Sequence, residues 1–218
     1  EKNGRELKVR NGSRISSSTA AEGNGGAVIV QASDYLLVSG DGSRDFTGIS
    51  SGTVGFSIGS AGDVQVKVNA LQVQDGGNIQ SLTGGLSSGN AGTVNVQANH
   101  LLVSGVSRDG SASTISSIAD EYSTGSAGDV HVKAKALQVL KGGVISTSTF
   151  AKGDAGTVNI QADHLLVSAD GSEYVTGISS TAEPNSTGSA GDEHDKAKAL
   201  QVLKCGVIST SIFAEGNA

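Results

Sequence analysis

Glu193, His194 and Asp195 are adjacent, and two carboxylates flanking an imidazole are the groups from which a metal site or an acid–base pair is built. They occupy a duplicated stretch. The segment GSAGDVHVKAKALQVLKGGVISTSTFAKG at 125–153 returns 63 residues later, at 188–216, with Val130 and Val132 replaced by Glu193 and Asp195. Strand alternation sends Glu193 and Asp195 to one face and His194 to the other, so the three do not converge. Two unpaired charges on an inward face would be severely unfavourable. The five differences between the copies can all arise by single-base changes, and drift after duplication accounts for them.

The remaining reactive side chains follow the same pattern. Polysaccharide-cleaving sites on parallel-strand solenoids need two or three carboxylates converging on one face. Here Asp41, Asp45, Asp75, Asp109, Asp120 and Asp170 fall in turns, and the chain offers no Trp, three Tyr and four Phe as sugar platforms. His100 and His164 are equivalent positions two repeats apart, as are His131 and His194. That separation is about 9.6 Å, too far for bonds of about 2.1 Å to one zinc ion. Asp63, Asp129 and Asp192 lie in Gly-Ser-Ala-Gly-Asp-like turns but lack the nonapeptide of calcium-binding solenoids. Cys205 stands where the earlier copy has Gly142 and reads as a drifted turn residue. No catalytic, cofactor-binding or metal-ligating residue is assigned, and no cofactor is expected.

Recognition is better sought in loops. Three repeats carry extra turn residues before a recurring isoleucine, at 41–47, 106–110 and 170–175. Stacked on one corner they would form a ridge, on which Arg44, Phe46, Arg108 and Tyr174 are the candidate ligand contacts. Phe46 and Tyr174 are expected in comparable places. The competing reading, and the favoured one, is that these residues simply cover the end of the core.

What positions these groups is the repeat. A small-Gly-Asp/Thr step recurs at Gly26, Gly62, Gly92, Gly128, Gly156 and Gly191, and Ile followed by small polar residues recurs at Ile15, Ile49, Ile79, Ile115, Ile145, Ile178 and Ile208. The unit is roughly 30 to 36 residues, alternating short and long. Each unit holds three alternating apolar runs, such as 64–68, 71–73 and 79–81, separated by Gly, Asn, Asp and Ser. One unit cannot bury its own apolar stripe; stacked units can. The sequence therefore predicts an all-β, right-handed parallel β-helix (β-solenoid) of about seven rungs with three short strands per rung.

Five inward ladders should build its core. They run through Val28-Val64-Val94-Val130-Val158, through Val30-Val66-Val96-Val132-Ile160, through the leucines from Leu7 to Leu200, through the valines from Val9 to Val202, and through the isoleucines. Two residues after each ladder isoleucine stands Ser17, Ser51, Ser81, Ser117, Thr147, Ser180 or Thr210. These inward hydroxyls must bond between rungs or to backbone.

Composition narrows the function classes. Residues 1–218 form one elongated domain, about 30 Å long at seven rungs, because each rung touches only its neighbours. A net charge of −6 and a pI near 5.1 argue against nucleic-acid binding. No apolar stretch is long enough to span a membrane as a helix. The chain lacks Met, starts inside a unit and stops where a new step would begin, and it is read as a fragment of a longer array.

The motif at 89–96, Gly-Asn-Ala-Gly-Thr-Val-Asn-Val, followed by Leu101-Leu102-Val103 and Ile115-Ser116-Ser117, resembles the repeats of filamentous haemagglutinin-like exoproteins of two-partner secretion (TpsA-type). Such repeats occur in large cyanobacterial and other Gram-negative surface proteins. The likeness covers the whole chain, and Thr181-Ala182-Glu183-Pro184 fits the turns of longer rungs. It implies an extracellular or cell-surface location and an outer-membrane TpsB-type transporter as partner. It also implies a non-enzymatic shaft or fibre segment of an adhesin, able to self-associate through its terminal rungs. The alternatives are an adhesin module whose corner loops bind a host or matrix glycan or protein, and, ranked lower, a polysaccharide-degrading enzyme.

Overall fold

A computed structural model describes residues 2–41, 43, 45–184 and 186–213 of the 218-residue chain. The first half contains β1 (Lys2–Arg10), β2 (Arg14–Thr19), β3 (Val28–Ser39), β4 (Thr47–Thr53), β5 (Val64–Gln74), β6 (Gly77–Thr83) and β7 (Val94–Ser104). The second contains β8 (Ser113–Ala119), β9 (Val130–Leu140), β10 (Gly143–Thr149), β11 (Val158–Ser168), β12 (Gly177–Ala182), β13 (Glu193–Leu203) and β14 (Val207–Ile212). Odd-numbered strands form one seven-stranded sheet and even-numbered strands a second, each in chain order and parallel where paired. The chain winds from one sheet to the other and back, giving an all-β parallel solenoid.

Each repeat thus contributes two strands where the sequence suggested three. The first two apolar runs are one strand with a corner in it. In β5 the burial alternation holds from Val64 to Val68 and resumes out of phase at Leu71. The ladder to β7 skips Asn69 and Asn99, pairing Val68 with Ala98 and then Ala70 with His100. At that corner the side chains stack on each other, Asn99 Nδ2 donating to Asn69 Oδ1 at 2.7 Å.

The predicted ladders are in register. Val64 pairs with Val94, Val94 with Val130 and Val130 with Val158; Leu71, Leu101, Leu137 and Leu165 align likewise, as do Ile79, Ile115, Ile145 and Ile178. Together they form one continuous apolar core. A fully buried Val, Leu or Ile contributes about 1.5 to 3 kcal/mol, and the stack repeats that gain at every level.

The hydroxyl ladder shows why glycine recurs opposite it. Ser51 Oγ accepts from the Gly62 amide at 2.8 Å and donates to the Gly26 carbonyl at 3.1 Å. Ser81 bonds Gly92 and Gly62 in the same way, and Ser117 bonds Gly128 and Gly92. The turn backbones stack so tightly that a Cβ on Gly92 would overlap the Gly62 carbonyl, and one on Gly128 the Gly92 carbonyl. Outside this column a second set of side chains caps the same turns. Ser60 N–H donates to Asn24 Oδ1, Ser126 N–H to Asn90 Oδ1 and Ser189 N–H to Asp154 Oδ1.

Candidate functional site

Glu193 and Asp195 point into the core, stacked on Val158 and Ile160, while His194 faces solvent beside Asn159. The parity argument holds, and the three groups do not converge. Glu193 Oε1 and both Asp195 carboxylate oxygens are shielded and have no hydrogen-bond partner among the described residues. Burial, reinforced by the neighbouring Asp195, pushes the Glu193 carboxyl up to about 8. Burial also raises Asp195, with a partial offset from its contact with Glu193. The pair favours protonation, and among the described residues no cationic side chain pairs with it. It is a defect in two valine ladders.

The turn acids have structural work. Asp63 Oδ1 accepts the Thr93 amide at 2.8 Å, and Asp129 Oδ1 accepts the Thr157 amide at 2.7 Å, so both carboxylates cap the next turn. Registry puts one strand between His100 and His164 and one between His131 and His194. Among the described residues no group of three His, Cys, Asp or Glu side chains could hold a metal ion.

The long corner loops are ordered from beneath. Thr47 and Thr176, equivalent positions one residue before each Gly-Ile pair, accept the Gly12 and Gly142 amides, each at 2.7 Å. In the 106–112 loop Ser113 takes that role for Gly76 at 3.0 Å, and Val106 pairs antiparallel with Ala112. Ser107 Oγ donates to Asp109, which holds the Asp109 carboxyl below its usual range.

The four candidate contacts separate. Arg44 lies outside the described residues. Phe46 is half-buried, with the Arg14 guanidinium over its ring at 5.7 Å from the centroid, and it covers the core edge. Arg108 is exposed. Tyr174 lays its ring across Gly110, joining two long loops over the short turn at Gly142. Phe46 and Tyr174 are not equivalent. Asp45 and Tyr174 make the matching bonds, each N–H donating to a serine hydroxyl two residues back at 3.1 Å, so Phe46 corresponds to the exposed Val175. The two loops are equal in length, and aligning DGSRDFT at 41–47 with DGSEYVT at 170–176 shows the offset in the sequence.

Sequence reasoning passed over a different corner. After the even strands, Phe56, Leu86 and Tyr122 project into solvent at 79%, 56% and 68% exposure, and Phe150, directly after β10, is exposed to a lesser degree. Phe56, Leu86 and Tyr122 each stand seven positions after a ladder isoleucine, and that count is the signal that would have found them.

No protein-family profile, curated protein or solved structure matches the chain. Among the described residues no helix is long and apolar enough to cross a membrane.

Proposed function

We propose that this chain is a non-enzymatic shaft segment, a stiff spacer in an extracellular surface fibre or adhesin of the filamentous haemagglutinin-like kind. The observation that carries the proposal is the stack itself: apolar, hydroxyl and glycine columns run from turn to turn, interrupted at Glu193 and Asp195, and among the described residues no cleft brings carboxylates together. Such a stack transmits length and stiffness, and its coil is right-handed by the usual handedness of parallel crossovers. Each turn of the proposed shaft is built from two strands, the longer of them bent. Secretion through a TpsB-type transporter follows from the family likeness alone.

The open edge of β13 and β14 supports end-to-end stacking. Leu200, Val202, Leu203, Val207 and Ile212 are 42 to 51% exposed there, and an apolar strand edge of this kind can accept the strands of a second copy. The second reading, a binding module on the long loops, is favoured by the Tyr174–Gly110 bridge, which builds a rigid ridge.

The test is insertion of one further 63-residue pair of turns after Gly188. The shaft reading expects a folded protein lengthened by about 9.6 Å in small-angle scattering. Collapse of the fold, or polysaccharide turnover that disappears on replacing a carboxylate, would overturn it.

A further inference from the structure

The outer face of the odd-numbered sheet carries an open groove that crosses six strands, from β3 to β13. It comprises two contiguous cavities of about 710 and 920 Å³ that share Lys67, Gln97, Lys133, Gln161 and Lys196. Its lining lies on the outward face of the long strands, in the stretch leading up to the bend at Asn69 and its equivalents.

The lining follows a strict alternation. Down the stack one column reads Gln31, Lys67, Gln97, Lys133, Gln161, Lys196, placed in register by consecutive strand pairings and all exposed. Lysines therefore recur every second strand, about 9.6 Å apart, with a carboxamide between each pair. Lys135 and Lys198 add charge on the next column, against Asp34 and Asp163. Asp163 is paired with Lys198 at 2.8 Å, whereas Lys67, Lys133, Lys135 and Lys196 have no ion pair among the described residues. On a chain of net charge −6 this groove is a cationic strip.

We infer that the groove binds an extended acidic polysaccharide of low charge density lying along the solenoid axis, its carboxylates on Lys67, Lys133 and Lys196. The spacing decides the ligand class. A nucleic-acid strand carries one charge every 3.4 Å or so, about three times the density that lysines 9.6 Å apart can neutralise. It would also want large stacking platforms, and the lining holds no Phe, Tyr or Trp, only the imidazoles of His131 and His194. A glycan with one carboxylate per disaccharide places neutral, hydroxyl-rich surface opposite each glutamine, whose carboxamide both donates and accepts. The groove is on a different face from the long loops and does not depend on the shaft reading.

The experiment is calorimetric titration of the full chain with hyaluronan oligosaccharides, which carry one carboxylate per disaccharide, beside dextran and single-stranded DNA. The triple variant K67Q/K133Q/K196Q should weaken oligosaccharide binding by about tenfold or more and flatten its salt dependence. The control K8Q/K141Q/K152Q, with the same charge change elsewhere, should leave binding nearly unchanged. Gln already stands at the alternate positions of the groove column, so the triple variant should keep the thermal midpoint. Absence of binding to the parent chain, equal losses in both triple variants, or tighter binding of DNA than of the oligosaccharide would each overturn the inference. An intact, lengthening rod that ignores the glycan would remove the groove and leave the shaft.

Discussion

The Ser117 hydroxyl accepts the Gly128 amide at 2.8 Å, joining the core of one turn to the backbone of the next. Its proton goes to the Gly92 carbonyl at 2.9 Å, so one small side chain satisfies two buried backbone groups. Ser117→Ala should cost about 1 to 3 kcal/mol in chemical unfolding, because both groups lose their partner out of reach of water. Ser117→Thr should cost far less, since Thr147 fills the same column and donates to the Gly156 carbonyl. Equal losses for the two variants would show that the site is limited by volume.

The glycine column makes a separate forecast about space. Gly92→Ala places a methyl group against the Gly62 carbonyl, and a stacked backbone cannot yield as a flexible side chain would. A loss of about 1 to 3 kcal/mol is expected. Gly23→Ala, with nothing within 4 Å of the added carbon, should be nearly silent. Thermal melts of the two proteins side by side decide the matter.

Glu193 and Asp195 make the last turn sensitive to pH. Burial raises both carboxyls above their ordinary values, so the folded chain holds protons that the unfolded chain releases. Stability from this turn is complete below about pH 4.5 and declines as pH rises toward 8. Protection factors of the β13 amides, which correct for the intrinsic pH dependence of exchange, should therefore fall across that window while those of β7 stay constant. The double variant Glu193→Val, Asp195→Val restores the ladder residues of the earlier copy and should abolish the pH dependence. A pH-independent parent protein would refute the burial argument.

Cys205 sits at φ +63°, in the left-handed region, where the earlier copy has Gly142 at φ +89°. Cys205→Gly should relieve about 1 kcal/mol of backbone strain, visible as a higher denaturation midpoint. The thiol is exposed and free, so modification by a maleimide reports whether this turn stays accessible.

The five ladders were legible because a fixed repeat and alternate burial determine parity for every copy at once, and Val64, Leu71 and Ile79 needed no further information. The bend at Asn69 was less so. Two apolar runs three residues apart read as separate strands, and only hydrogen bonding shows the backbone continuing through the corner. Phe56, Leu86 and Tyr122 escaped notice because exposed turn positions have no packing partner to impose a pattern. The groove was hidden for a related reason. Lys67, Gln97 and Lys133 look like ordinary solvated residues until strand register stacks them in one column along the groove.

Stacked partners such as Val28 and Val64, or Val64 and Val94, are never far apart along the chain, however many turns an array contains. The entropy of closing each new turn is therefore constant, and it does not grow with the length already formed. A chain of this kind can zip from any completed turn outward, as fast per turn in a long array as in a short one. Unfolding obeys the same rule in reverse, so damage at one level frays its neighbours before it reaches distant ones.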